Sequence, residues 1–427
     1  MRTIEHLFAV TLVLFLGARD ASATPTFVGP GSCSSSNCHG NNKPLNSSNV
    51  LQNEYTTWSK HDHHSRAYLN LLNSDSKKIA SNLGIPDAAR EPLCLTCHST
   101  YVKESNRNDT FKIEDGVTCE SCHGAASDWL KSHTSSEATH ADNVKNGMTD
   151  IAELGTRSTL CLSCHFGSDD KTVNHKLYGA GHPRLSFELD TFGVLQPKHW
   201  VIDSDYEKRK GPYVPLKAWL TGQLHHAQAT LEALESPTRS MSGLYPELSL
   251  FDCFSCHHSL TEDQWKKRGY GGNPGELKLN LPSLYILKEV TTALDAALGR
   301  ELTQNLETLH NSYRADRAPT TIDTLQSLLA DRVSPLVERT PADLSNTTHV
   351  LGTLTSYAAS HPYPTFELAE QIAMGIQATI ASSPELALRY DIQLKDLFST
   401  LKSSETFGAE KFTRAATRLN QSVTRKD

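Results

Sequence analysis

All ten cysteines of the chain fall into five pairs, and a histidine follows the second member of each pair directly. Four pairs have the form C-x-x-C-H: Cys94-Leu95-Thr96-Cys97-His98, Cys119-Glu120-Ser121-Cys122-His123, Cys161-Leu162-Ser163-Cys164-His165 and Cys253-Phe254-Ser255-Cys256-His257. The fifth, Cys33 to Cys38 followed by His39, has four residues between the thiols. Two thiols three positions apart can each form a thioether with one vinyl group of a single porphyrin, and the next imidazole is then placed under the ring to bind its iron. The pattern therefore predicts covalently attached haem c. A thioredoxin-like dithiol needs no histidine after it, and a zinc site would pair two C-x-x-C units into one cage of four ligands. In the Cys33–Cys38 loop the extra residues can bulge outward without moving either sulfur, so a fifth haem is expected there. Its rival is a plain disulfide, which spare thiols form in an oxidising compartment.

That compartment is read from the N-terminus. Arg2 precedes an apolar stretch from Leu7 to Leu16 and then Ala21-Ser22-Ala23, the three regions of a secretory signal. Residues 1–23 are expected to be removed, with an uncleaved anchor as the alternative, and the mature chain to be periplasmic or extracellular. No later run reaches the ~18 uninterrupted apolar residues of a membrane-spanning helix. The net charge of -7 lacks the basic footprint of a nucleic-acid binder, so none is expected as a partner. Two propionates on each haem would make the surface more acidic, favouring basic or weakly charged redox partners.

Five proximal ligands, His39, His98, His123, His165 and His257, leave open what faces the other side of each iron. A second imidazole gives a closed iron suited to electron transfer, whereas an open position can bind a substrate. Of the 20 histidines, removing these five and His6 leaves 14. His61, His63 and His64 lie on one short segment and, at ~100° per residue, cannot all face one ring. His175 and His182 are separated by Gly179 and Gly181 and closed by Pro183, so they are expected to point at different haems. His225 and His226 lie on a helical run from Leu216 to Leu234 with an apolar stripe. His310, His349 and His361 lie in a cysteine-free stretch and read as ordinary structural histidines.

Four further blocks carry a resemblance: Trp58 to Tyr68, Gly116-Val117-Thr118 running into Cys119 to Gly124, Val173-Asn174-His175 through Gly181-His182-Pro183 to Leu189, and Pro197-Lys198-His199-Trp200. With the motifs they cover roughly residues 30–260, and they resemble exported multihaem cytochromes of the c-552/c-554 type. That group also contains pentahaem nitrite reductase and the octahaem reductases. The resemblance implies that His64, His133, His175 and His182 are distal ligands. For the fifth, His226 or its neighbour His225 is the candidate. Pentahaem nitrite reductase holds its catalytic haem through C-x-x-C-K, whereas every motif here ends in histidine. Nitrite reduction by that mechanism is therefore disfavoured.

The expected architecture is mainly α. A haem-cored pentahaem domain with sparse short helices and long loops should span 24–262, and an all-α, haem-free region 275–427. Helical runs are expected around Leu284–Leu302, Thr321–Val337, Phe366–Ala381 and Glu385–Leu401, with Pro335 a breaker of the second. The leading reading is an electron relay serving a quinol dehydrogenase, other cytochromes or a terminal reductase, with self-association through the C-terminal helices. The alternative is a multihaem oxidoreductase acting on a small nitrogen or sulfur compound at one open haem.

Overall fold

The computed structural model describes residues 24–45, 50–257, 277–340, 344–361 and 364–425. The expected signal at 1–23 and the turn-rich boundary at Arg268–Gly275 lie outside them. The fold is mainly α, and among the described residues the one sheet is a two-stranded antiparallel ribbon pairing Met241–Ser242 with Tyr245–Pro246.

Before residue 215 no described helix exceeds the 12 residues of Leu154–His165. The short lengths follow from closely spaced start and stop residues. Asn73 caps Ser74–Leu83, which ends on left-handed Gly84; Asn174 caps His175–Gly179; Glu188 caps Leu189–Leu195 through the amides of Asp190 and Thr191. Apolar clusters in this half are small, such as Val28 with Ala126 and Trp129, or Leu162 with Phe187 and Leu189.

The 21-residue helix Pro215–Glu235 opens with proline, whose missing N–H costs nothing in a first turn. It buries Leu216, Trp219, Leu220, Leu224, Ala227, Leu231 and Leu234. It packs on Leu154–His165 and Leu189–Leu195 as well as on Pro282–Leu294 and Phe366–Ala381. Its apolar stripe is thus part of one continuous core with the C-terminal helices, reaching Phe412 and Leu419.

The C-terminal helices refine the expected runs. Leu284–Leu302 is broken at Asp295, whose carboxylate caps a new helix, Ala296–Asp316, at the amides of Ala297 and Leu298. Pro335 does not end its run: a widened π turn, Leu329–Val333, precedes Ser334–Arg339 and accommodates a residue with no N–H and a bulky ring. Phe366–Ala381 and Pro384–Ser399 lie where expected. Leu344–Ser360 and Ala409–Thr424 were not anticipated. The first is rich in Ser and Thr, both weak helix formers, and the second presents only a narrow stripe, Phe412, Ala415, Ala416 and Leu419. Among the described residues no helix is long and apolar enough to cross a membrane.

Candidate haem-attachment and axial-ligand sites

The attachment motifs take up a local geometry that suits them. On a helix, positions i, i+3 and i+4 share one face, so two thiols and the following imidazole can approach one flat group from the same side. Cys94 to His98 closes the helix Pro92–His98, Cys119–His123 is a one-turn helix, and Cys161 to His165 closes Leu154–His165. Cys253–Ser255 forms a 3-10 turn. The longer Cys33–Cys38 loop folds on itself, with the Cys38 amide donating to the Ser35 carbonyl (2.9 Å) and the His39 amide to that of Cys33 (3.2 Å). Gly40 closes this loop so tightly that a Cβ would lie 1.8 Å from the Ser34 carbonyl oxygen. All ten cysteines are unbridged, so Cys33 and Cys38 are not joined.

Neighbouring motifs are tied together. The buried Glu120 carboxylate, within the third motif, accepts the amides of Val28, Gly29 and Ala126, each at 2.8 Å, anchoring the strand of chain that leads to Cys33. Gly116 has φ +76°, and a Cβ there would meet the His64 carbonyl oxygen at 2.8 Å, so the His64 loop lies directly on the chain entering the third motif. The Val117 amide donates to that same carbonyl, and the Trp58 indole N–H to the Val117 carbonyl, both at 3.0 Å.

Among the described residues, each motif histidine has one other histidine ring opposite it. Ring centroids are 6.2 Å apart for His39 and His133, 6.4 Å for His98 and His182, and 6.4 Å for His123 and His199. They are 6.2 Å apart for His165 and His64, and 6.3 Å for His257 and His175. A metal–imidazole bond of ~2.0–2.1 Å, with the nitrogen ~1.1 Å from its ring centre, puts two trans imidazoles about 6.2–6.4 Å apart. All five gaps have the width that an iron atom between two imidazoles requires. Among the described residues no three or more His, Cys, Asp or Glu side chains gather as a metal cage. A haem iron, which takes four nitrogens from its porphyrin, needs only two ligands from the protein.

The chemistry of these rings suits the role. Burial pushes His123 and His165 down to about 4 and lowers His98 and His199, so at neutral pH they carry the free lone pair a metal binds. Half of the ten rings also have Nδ1 engaged, which leaves Nε2 for coordination. His98 donates to the Ala67 carbonyl, His133 to that of Leu130 and His182 to that of Pro183. His39 donates to Glu54 and His64 to Asp62, each at 2.9 Å, and these bonds raise both imidazoles.

The structure therefore brings His64, His133, His175 and His182 each to a different motif histidine, but not His226. That ring is buried against Phe166, its centroid 4.7 Å from the phenyl, with Nδ1 at 2.9 Å from the Ser283 hydroxyl. His225 meets Thr159 and stands near Glu153. Both side chains belong to a long helix that packs on the C-terminal core as well as on Leu154–His165. The fifth partner ring is His199, which sequence reasoning placed in a resemblance block without giving it a role; that block was the available signal. Among the described residues no ring contact joins His61 or His63 to a motif histidine, and His310 stacks on Tyr285 while His349 reaches the Ala293 carbonyl.

Comparison with curated proteins and with solved structures finds no match. Residues 33–124, which contain three of the five attachment motifs, match the family model for cytochrome c554 and c-prime, and this match supports a c-type cytochrome with covalently bound haem c and a role in haem-based electron transfer.

Proposed function

We propose that the chain is an exported pentahaem cytochrome whose irons are all closed by two histidines and which relays electrons between redox partners. The observation that carries this reading is the set of five histidine pairs at 6.2–6.4 Å, one at every motif. In it, Cys33 and Cys38, Cys94 and Cys97, Cys119 and Cys122, Cys161 and Cys164, and Cys253 and Cys256 hold five haems. His39, His98, His123, His165 and His257 are the proximal ligands, opposite His133, His182, His199, His64 and His175 in that order. Haem c supplies a one-electron Fe(III)/Fe(II) couple. The second imidazole at each site excludes water and substrate from the iron.

A relay also needs neighbouring haems, and sulfurs of the first four pairs lie near one another. The Cys33 thiol interacts with that of Cys119, Cys122 lies in the field of Cys161 and Cys164, and Cys164 interacts with Cys97. His175 and His182, seven residues apart, stand opposite His257 and His98, which ties the fifth site to the second. The small apolar clusters in this half fit a core completed by porphyrin. The proposal includes a signal at 1–23, a haem-bearing region 24–262, a haem-free helical region 275–427, a periplasmic or extracellular location and protein redox partners. It extends to self-association through the C-terminal helices, where Leu388 and Ile392 stand exposed one turn apart.

The test is the optical and paramagnetic resonance spectrum of the oxidised, haem-loaded protein, followed by carbon monoxide after reduction. Five low-spin haems per chain with no carbon monoxide shift are expected. A high-spin iron that binds the gas would overturn the relay reading in favour of an oxidoreductase with one open haem.

A further inference from the structure

Resting on the bis-histidine reading above, we propose that Glu54 and Asp62 are potential-setting residues. Each holds the Nδ1 proton of one iron-ligand imidazole, which makes the haems at His39/His133 and His64/His165 the two low-potential members of the five. Glu54 Oε2 lies 2.9 Å from His39 Nδ1, and its Oε1 accepts the amides of Leu51 (2.9 Å) and Gln52 (3.2 Å). Asp62 Oδ1 lies 2.9 Å from His64 Nδ1 and also takes the His64 amide (3.0 Å), while Oδ2 accepts from the Gln196 amide nitrogen (3.2 Å). Both carboxylates are therefore built into fixed positions, and Asp62 is only 4% exposed.

The contrast within the molecule is what points to tuning. The other ligand rings with an Nδ1 partner, His98, His133 and His182, donate to neutral backbone carbonyls. A carboxylate draws the shared proton further from the ring, so the imidazole becomes a stronger electron donor and the local negative charge favours ferric over ferrous iron. No proton leaves the pair; the change is in how strongly the ring donates. Glu54 and Asp62 act through their histidines and touch no reacting atom, so they are positioning residues.

The two affected haems carry different spectroscopic labels. The His39 and His133 planes are 12° apart, whereas those of His64 and His165 are 84° apart. Near-parallel imidazoles give a rhombic low-spin signal, and near-perpendicular ones give a signal with a large maximal g value. Of the remaining pairs, His175/His257 at 33° is nearer the first type, and His98/His182 at 84° and His123/His199 at 72° are of the second.

The experiment is a redox titration of the haem-loaded protein followed by paramagnetic resonance, on the wild type and on Glu54→Gln and Asp62→Asn. In the wild type, the last two ferric signals to vanish on reduction should be one of each type. In each variant one of these should move upward, by about tenfold in the ferric-to-ferrous ratio at fixed potential, or about 59 mV for one electron. Five low-spin haems with unmoved potentials in the variants would overturn the proposal while leaving the bis-histidine reading intact. Should a variant fail to fold, the wild-type order alone decides: two signals of the same type vanishing last would overturn it. Fewer than five haems, or high-spin iron in the wild type, would overturn both the proposal and the reading beneath it.

Discussion

The difference between His199 and His226 is a matter of single residues and a direct test of the ligand assignment. Both residues are half-buried, and desolvation lowers the pKa of each, so neither property separates a ligand from a structural histidine. Position does: His199 faces His123 at 6.4 Å, while His226 packs on Phe166 and meets Ser283. On the proposed bis-histidine reading, replacing His199 with alanine should open one iron, converting it to a high-spin form that binds carbon monoxide after reduction. His226→Leu should leave every haem low-spin and cost stability instead, on the order of 1–3 kcal/mol for an orphaned buried partner. High-spin iron in the second variant and none in the first would reverse the assignment.

Elements before residue 215 are held by caps, and the cap of Leu189–Leu195 carries a pH dependence. Glu188 is 2% exposed, and burial pushes its carboxyl from an ordinary 4.5 up to about 7, against the pull of the Asp190 and Thr191 amides it accepts. An acid whose pKa is raised by folding binds its proton more tightly in the folded state. It therefore destabilises the fold progressively as pH rises from about 4.5 to about 7, and the cost is complete above that. Glu188→Gln keeps an oxygen to cap the helix and removes the charge. The variant should match the wild type near pH 4 and be more stable at pH 8 by up to about 3 kcal/mol, measured by denaturant unfolding at both pH values. Equal stability at pH 8 would mean that the carboxylate is not penalised there.

Across the whole molecule, the helix Pro215–Glu235 is shared. One side meets Leu154–His165, which carries the fourth attachment motif, and another meets Phe366–Ala381, where a Cβ on Gly375 would lie 2.2 Å from Trp219 Cζ2. Trp219 is fully buried at that contact. Trp219→Ala should cost about 3–5 kcal/mol. Because the damaged core and the motif helix share one element, the loss should lower the melting temperature followed in the haem absorption band together with that followed by far-ultraviolet helicity. A lowered helical transition with an unmoved haem transition would mean that the two halves unfold independently.

What the sequence alone determined is the chemistry that is local in the chain. The two thiols and the imidazole of each motif lie within seven consecutive residues, so the five cysteine pairs and the histidine after each are readable without a fold. Helix type was legible in Phe366–Ala381 and Pro384–Ser399 because an apolar stripe repeats within neighbouring residues. Opposing rings come from afar: His64 meets a histidine about 100 positions away, and His199 meets one 76 positions earlier. Such a pairing depends on loops, caps and close backbone contacts such as Gly116 against His64, each weak alone and joint in effect. His226 shows the same limit from the other side, since an apolar stripe reveals that a helix is buried but not what it is buried against. Only the tertiary structure decided that this stripe lies in the C-terminal core, because long-range packing is chosen by the complementary surfaces of the whole chain rather than by any one segment.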